Sequence, residues 1–166
     1  MMNNLSDLDA TTKASVLLEA LPYVQRFKDS IFVIKYGGAF MDSSDNSKRK
    51  KIASDIAFLH AVGIQVVIVH GGGKAITKSL KEKAIKTEFR NGLRVSSKKV
   101  IKVVDAVLNK EVSPSICADI IEQGADAIPI NGKDLLICEQ KQFFTNTTGE
   151  ETYNLGYVGD ISSVKT

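Results

Sequence analysis

Apolar residues occur along the chain in short runs that alternate with longer segments of helical spacing. The runs at 31–36 (IFVIKY) and 66–69 (VVIV) are typical of buried strands, and each is followed by glycines and then by a helical pattern. The order strand, glycines, helix, repeated twice, predicts a βαβα arrangement with crossover helices. The pattern therefore predicts an α/β fold in which a mainly parallel sheet is flanked by helices.

The remaining segments add predictions on both sides of this unit. Residues 13–28 place apolar side chains on one helical face ahead of the first strand, and Pro22 is expected to kink or interrupt that helix. The dipeptide Asn91-Gly92 lies between extended segments and predicts a β-hairpin. Residues 125–130 (ADAIPI) predict a third buried strand. Residues 135–166 predict a β-meander with no further helix.

Helix ends are also marked in the sequence. Ser96 or Ser97 can cap the helix that follows the hairpin. Ser113-Pro114 predicts the start of the next helix, and Gly124 predicts its end.

Composition excludes several function classes. The 166 residues are 43% hydrophobic and 25% charged, which is ordinary for a globular domain. The net charge of +3 is mild and the basic residues are scattered, so nucleic-acid binding is not predicted. The N-terminus is acidic and no apolar run is long enough for a bilayer, so neither secretion nor membrane insertion is expected. Cys117 and Cys138 have no zinc or disulfide spacing, which favours a cytoplasmic location.

The glycines at 71–73 have two physical explanations. They can make a tight turn, because glycine adopts positive φ easily. They can also leave amide groups open at a helix N-terminus, where the helix dipole favours an anion. Ile68 stands where a Walker A loop would need glycine, so that motif does not fit. Ligands of parallel sheets bind beyond the carboxyl ends of the strands, where the glycines at 37–38 and 71–73 both lie.

Four polar residues near these turns are candidates for chemistry. Lys35 lies in an apolar strand, where it can extend its amine into solvent or help the glycines to bind phosphate. His70 can act as a general base, although a hydrogen-bonded structural role is the preferred interpretation. Arg94 can bind a carboxylate through two hydrogen bonds or be a surface charge. Asp134 can line the same crevice or make an Asx turn, and the turn is preferred.

Several separated motifs together resemble one family. The segments IKYGG, IVHGGGKAI, NGLRVS, INGKD and LGYVGDI, in this order, resemble the N-terminal part of acetylglutamate kinases, in the amino-acid-kinase superfamily. The resemblance runs from about Leu17 to Thr166. It implies a fold with β-hairpins over the substrate site. It also implies ATP-dependent phosphorylation of the side-chain carboxylate of N-acetyl-L-glutamate, a step of arginine biosynthesis.

The resemblance also implies roles for individual residues. Lys35 would stabilise the transition state, and Gly37 and Gly38 would face the phosphates of ATP. N-acetyl-L-glutamate would be contacted by Gly72 and Gly73, and its α-carboxylate would be held by Arg94. Mg²⁺ is expected as part of the MgATP co-substrate, with no metal ligand assigned to this chain.

The same comparison predicts a domain organisation. Residues 1–30 are predicted to form an N-terminal arm, because the segment at 16–27 (VLLEALPYVQRF) resembles the arm helix of arginine-inhibited members, which implies a homo-oligomer formed through this arm. Residues 31–166 resemble the acetylglutamate-binding portion, and the ATP-binding portion is expected to be absent, so the chain is expected to be inactive alone. Two alternatives stay open: a non-catalytic subunit that responds to acetylglutamate or arginine, and a sibling kinase of acetylaminoadipate.

Overall fold

The computed structural model describes residues 9–37, 46–90, 92–144 and 152–165. The first helix, α1 (Ala10–Phe27), is capped by Asp9, whose carboxylate accepts a hydrogen bond from the Thr12 amide at 2.9 Å. Pro22 lies inside α1 and does not interrupt it, contrary to the alternative that proline would end the helix. None of the residues of α1 is buried.

The predicted βαβα unit is present. It consists of β1 (Ile31–Tyr36), α2 (Asn46–Ala61), β2 (Gln65–His70) and α3 (Gly73–Glu82). Strands β1 and β2 pair in parallel over their full lengths, from Ile31 opposite Gln65 to Tyr36 opposite His70. The α/β fold with a parallel pair and crossover helix is therefore confirmed, although the parallel sheet has only two strands in the described part of the chain.

The predicted hairpin follows α3. Its strands β3 (Phe89–Arg90) and β4 (Leu93–Arg94) pair antiparallel. Gly92 has a φ of 77°, which a residue with a side chain adopts only at a cost, while Asn91 lies outside the described residues. This confirms the hairpin.

A long helical stretch comes next. Helix α4 (Lys98–Val107) is capped by Ser97, whose hydroxyl accepts from the Val100 amide at 3.4 Å. It passes through one π-helical turn (Leu108–Val112) directly into α5 (Ser113–Glu122). The predicted start at Ser113 therefore coincides with a return to α-helical geometry and is not a separate helix after a loop.

The third buried strand predicted at 125–130 was wrong. These residues form neither helix nor strand, and the side chains of Ile128 and Ile130 are 79% and 61% exposed. Apolar content favours a strand only where another strand offers hydrogen bonds, and no described strand pairs with this segment. Only its first residue, Ala125, is buried in the core.

The end of the described chain also differs from the prediction. A one-turn helix, α6 (Gly132–Leu135), precedes β5 (Leu136–Phe144) and β6 (Thr152–Val164). Strands β5 and β6 make one antiparallel hairpin with two register shifts. The described part of residues 135–166 thus forms a two-stranded hairpin in place of the predicted meander, and α6 lies almost entirely before this segment, where a turn was predicted.

The hydrophobic core covers one face of the parallel pair. Ile34, Tyr36, Val66 and Ile68 pack against a cluster of buried side chains from the helices. The opposite face of the same strands is exposed, with relative exposures between 46% and 68% for four apolar residues: Ile31, Val33, Val67 and Val69. The predicted burial of these two strands holds for one face only, because the described helices pack on one side. The buried helical residues of the cluster are Ala53, Ile56, Ala57, Ile76, Leu80, Val100, Val103, Val107, Val112, Ile116 and Ile120.

Within the described ranges, no helix is both long enough and apolar enough to cross a membrane.

Candidate functional site

The two glycine turns leave the sheet at the same edge. Tyr36 lies opposite His70 at the ends of the parallel strands, so Gly37 and Gly71 follow side by side. Gly37 and Gly71 have no atom within 4 Å of the position that a Cβ would take. Their backbones therefore border open space, as an anion site at the carboxyl end of a parallel sheet requires. Gly38 lies outside the described residues.

The three glycines at 71–73 differ in their surroundings. Gly72 is the N-cap of α3 and offers no side-chain cap. A Cβ on Gly72 would lie 2.6 Å from the Leu108 Cδ2 atom of the π-helical turn. A Cβ on Gly73 would meet no atom within 4 Å. Close packing therefore explains Gly72, whereas Gly73 leaves the first turn of α3 accessible, where amide groups lack intrahelical partners.

His70 interacts with this loop through its backbone. Its Nδ1 atom is 3.1 Å from the Gly71 carbonyl oxygen, which accepts the hydrogen bond when Nδ1 carries the proton. The ring thus braces the start of the glycine loop. This geometry supports the structural interpretation of His70 over a role as general base.

Arg94 is held from two sides. Its Nη2 atom donates to the Thr77 hydroxyl at 2.8 Å, and its Cζ atom lies 4.5 Å from the centroid of the Phe89 ring. Its Nη1 atom is buried and has no hydrogen-bond partner among the described residues. Burial lowers the pKa of the guanidinium, which nevertheless remains charged at neutral pH. A buried donor without an acceptor is costly, so this side chain is suited to receive an anion.

Thr77 joins Arg94 to the glycine loop. It lies on α3, one turn after Gly73, and its hydroxyl donates to the Gly73 carbonyl at 2.8 Å while it accepts from Arg94. The guanidinium is therefore two hydrogen bonds away from the loop. Sequence reasoning missed Thr77, because a hydroxyl one turn into a helix more often bonds only its own backbone.

The C-terminal hairpin supports the strand that carries Arg94. Ser96 is buried and its hydroxyl donates to the Arg94 carbonyl at 3.0 Å. The Ser96 amide donates to the Leu155 carbonyl, and the Ser96 carbonyl accepts from the Tyr157 amide, both at 2.8 Å. Gly156 between them has a φ of 74°, and a Cβ there would lie 2.2 Å from the Ser96 oxygen. Part of the LGYVGDI motif therefore fixes the position of β4.

Lys35 is placed differently. It lies near the end of β1 on the exposed face of the sheet, opposite Val69. Within the described part of the chain, its amine makes no hydrogen bond and no ion pair. The structure thus places Lys35 and Gly37 at the edge of the sheet where the glycine loop begins, but it shows no contact between Lys35 and Arg94.

The segment at 131–134 is committed to other contacts. The Lys133 amine pairs with the Asp105 carboxylate at 2.9 Å on the protein surface. A hydrogen bond from Lys133 lowers the pKa of Asp105, and the same bond raises the pKa of Lys133. The side chain that makes the turn is Asn131, which accepts from the Lys133 amide at 3.2 Å. Asp134 lies in the one-turn helix and was wrongly assigned as the residue making the Asx turn.

The described residues form no group of three or more histidine, cysteine or acidic side chains that could hold a metal ion. They do form a cavity of about 410 Å³ beside the hairpin, apart from the candidate residues. Its lining comprises Lys86, Thr87, Glu88, Val95, Ser97 and Val100.

Comparison with known proteins gives a consistent result. A model of the amino acid kinase family matches residues 30–166. Acetylglutamate kinase from Campylobacter hominis is 42% identical over 151 residues, which cover 91% of this chain and 50% of that protein. Acetylglutamate kinase from Citrifermentans bemidjiense is 42% identical over 156 residues, or 92% of this chain and 53% of that protein. The chain thus spans about half the length of the curated relatives it matches.

Two solved structures share the fold. N-acetylglutamate synthase from Neisseria gonorrhoeae, solved with coenzyme A and N-acetyl-glutamate, aligns with a TM-score of 0.63 at 17% identity and covers 91% of this chain and 32% of that chain. The protein smu.665 from Streptococcus mutans UA159 aligns with a TM-score of 0.57 at 27% identity, over 82% of this chain and 51% of that chain. The first likeness shows the fold alone.

Proposed function

The chain belongs to the amino acid kinase family, and from this premise we propose that it is the acetylglutamate-binding part of a kinase that phosphorylates the side-chain carboxylate of N-acetyl-L-glutamate with ATP. Acetylglutamate kinases are the relatives that support this substrate. The proposed reaction belongs to arginine biosynthesis, and a cytoplasmic location rests on the sequence alone.

One observation carries the assignment of the substrate end. The Arg94 guanidinium has a buried Nη1 atom that finds no acceptor in the described ranges, and it lies two hydrogen bonds from Gly73. A carboxylate is the ligand that a guanidinium binds with two parallel hydrogen bonds. We therefore assign the α-carboxylate of acetylglutamate to Arg94, and the adjacent open backbone of Gly73 to the rest of the substrate. Gly72 borders the same site but is itself packed against Leu108.

The chemistry needs no general base. The reacting carboxylate of the substrate is already ionised at neutral pH and is itself the nucleophile that attacks the γ-phosphorus of ATP. The transfer then depends on positioning and on stabilising the charge of the moving phosphoryl group. We assign charge stabilisation to Lys35 and contact with the ATP phosphates to Gly37 and Gly38. Mg²⁺ enters in this proposal as part of the MgATP complex.

Calorimetry with N-acetyl-L-glutamate tests the substrate assignment. Arg94→Ala should weaken binding by roughly 10- to 150-fold, because a hydrogen bond to a charged group contributes about 1.5 to 3 kcal/mol. Arg90→Ala is the matched control, since Arg90 lies on the same hairpin and pairs with Glu88 at 3.0 Å. Its affinity should stay within about twofold of the wild type. Equal affinities of the two variants would contradict the role of Arg94.

Two further experiments distinguish this proposal from a sibling kinase and from a non-catalytic subunit. Competition by N-acetyl-aminoadipate at a lower concentration than acetylglutamate would identify the sibling kinase. An assay of ADP release from MgATP and acetylglutamate tests catalysis by residues 1–166 alone, for which we expect no turnover. A rate above about 1 s⁻¹, the lower end of typical kinase values, would contradict that expectation. A non-catalytic subunit would bind acetylglutamate but would add no turnover to that of full-length kinase subunits mixed with it.

The exposed side of α1 supports a partner role for residues 1–30. Leu17 and Leu18 are 70% and 68% exposed, and Val16, Leu21 and Tyr23 are also exposed. An isolated helix of this length is marginal in water, so we propose that α1 packs against another copy of the chain. This homo-oligomer would correspond to the arm of arginine-inhibited members.

The variant Leu21→Asp tests the arm. Light scattering should show dissociation, because a charge in an apolar interface is costly, while circular dichroism should be unchanged. Ser15→Asp is the control, because Ser15 is exposed and already polar on the same helix but lies about 120° around the helix axis from Leu21. A monomeric wild type would overturn the proposed oligomer.

A further inference from the structure

We propose that Thr77 is a positioning residue that sets the guanidinium of Arg94 for the substrate carboxylate. This inference rests on the proposed function, because it concerns the same site and takes acetylglutamate as the ligand. The Thr77 hydroxyl lies 2.8 Å from both Arg94 Nη2 and the Gly73 carbonyl. A single oxygen therefore connects the residue assigned to the α-carboxylate with the loop assigned to the rest of the substrate.

The two hydrogen bonds of Thr77 have a defined direction. A carbonyl can only accept, so the hydroxyl proton of Thr77 goes to Gly73. The lone pairs of the oxygen then face the Arg94 donor, which cannot act as an acceptor. Threonine also has few χ1 rotamers in a helix, so the oxygen stays where the backbone of α3 places it. The orientation of the guanidinium is therefore fixed relative to α3.

A held guanidinium favours binding. A free arginine side chain loses substantial rotamer freedom when it is immobilised by a ligand. Arg94 has Phe89 against its face and Thr77 at Nη2, and its buried Nη1 atom has no partner in the part of the chain that the structure describes. The contacts with Phe89 and Thr77 involve no anion, so they leave the positive charge of Arg94 available to a substrate carboxylate.

A positioning role of Thr77 can be distinguished experimentally from a role that only stabilises α3. A residue that only stabilises α3 would affect folding, and its removal would weaken binding equally with or without Arg94. A residue that acts through Arg94 affects binding only when Arg94 is present. Coupling between the two side chains is therefore the property to measure.

The experiment is a double-mutant cycle in calorimetry with N-acetyl-L-glutamate. Thr77→Val removes the hydroxyl and keeps the shape, and it should weaken binding about tenfold in the wild-type background. In the Arg94→Ala background, the same change should alter affinity by less than about twofold. Thr77→Ser should restore most of the affinity, because serine keeps the oxygen. Circular dichroism and thermal melting confirm that each variant is folded.

The outcomes distinguish this inference from the proposed function. If the wild type binds acetylglutamate and Arg94→Ala weakens binding while Thr77→Val does not, the positioning role is overturned and the proposed function stands. Equal losses for Thr77→Val in both backgrounds would likewise overturn it. A wild type that does not bind acetylglutamate would overturn both.

Discussion

Arg94 and Lys35 are the two cations proposed for the site, and the fold holds them in opposite ways. Arg94 is braced by Thr77 and Phe89 and is partly removed from water. Lys35 lies on an exposed strand face and makes no hydrogen bond or ion pair within the part of the chain that the structure describes. The proposed carboxylate end of the site is therefore preassembled by these residues, whereas Lys35 at the proposed phosphoryl end has no such support among the described residues.

A third cation shows why the manner of support matters. Lys133, in the INGKD motif, pairs with the carboxylate of Asp105 at 2.9 Å, and each partner shifts the pKa of the other toward the charged form. That charge is already balanced. Among the described residues, the guanidinium of Arg94 contacts a hydroxyl and an aromatic ring, both neutral, so these contacts leave its charge available to a ligand. We therefore infer that Arg94, which contacts neutral groups, is available to bind an anion, whereas Lys133 is not.

Among the substitutions that weaken the support of Arg94, Gly156→Ala should reduce the stability of the protein most. The new Cβ would lie 2.2 Å from the Ser96 carbonyl oxygen, at a backbone φ of 74° that residues with a side chain adopt at a cost of about 1 to 2 kcal/mol. Strain and clash together should lower the free energy of unfolding by about 3 kcal/mol or more. Because Ser96 supports the Arg94 carbonyl, acetylglutamate affinity should fall as well.

Gly124→Ala is the control for that change. Gly124 has a similar φ of 88°, but a Cβ there would meet no atom within 4 Å. Its substitution should cost only the strain, about 1 to 2 kcal/mol, and should leave acetylglutamate affinity unchanged. Urea unfolding of both variants provides the comparison. Equal losses of stability would show that β6 can move away from Ser96 without penalty, and that the C-terminal hairpin does not fix β4.

Local sequence patterns were sufficient to predict the parts of the fold that short segments determine. The runs 31–36 and 66–69, the turn at Gly92 and the cap at Ser97 were all predicted correctly, because spacing and turn chemistry are local. The segment 125–130 was wrong, because an apolar run becomes a strand only beside a hydrogen-bonding neighbour. The predicted burial of β1 and β2 held on one face only for a related reason, since burial depends on what packs against each face.

The candidate site was predictable to the same extent. Lys35, Gly37, Gly73 and Arg94 could be chosen from their positions after strands and turns, and from the family resemblance, although their roles stay predictions. The residues that support Arg94 could not be chosen in this way, because they are distant from it in the sequence. Thr77 is 17 residues away, and the brace at Gly156 lies on the last hairpin. Neither has a local signal that distinguishes it from an ordinary helix threonine or turn glycine.

The preassembly of Arg94, but not of Lys35, for this substrate is tested by comparing Lys35→Ala with Arg94→Ala in calorimetric titrations with N-acetyl-L-glutamate. We expect Lys35→Ala to change the affinity by less than about twofold, because an exposed amine at the proposed phosphoryl end contributes little to binding this substrate alone. Arg94→Ala should weaken the affinity by at least about tenfold, because it removes a charge-assisted hydrogen bond. Equal losses in the two variants, or a larger loss for Lys35→Ala, would contradict the division between a preassembled carboxylate end and an open phosphoryl end.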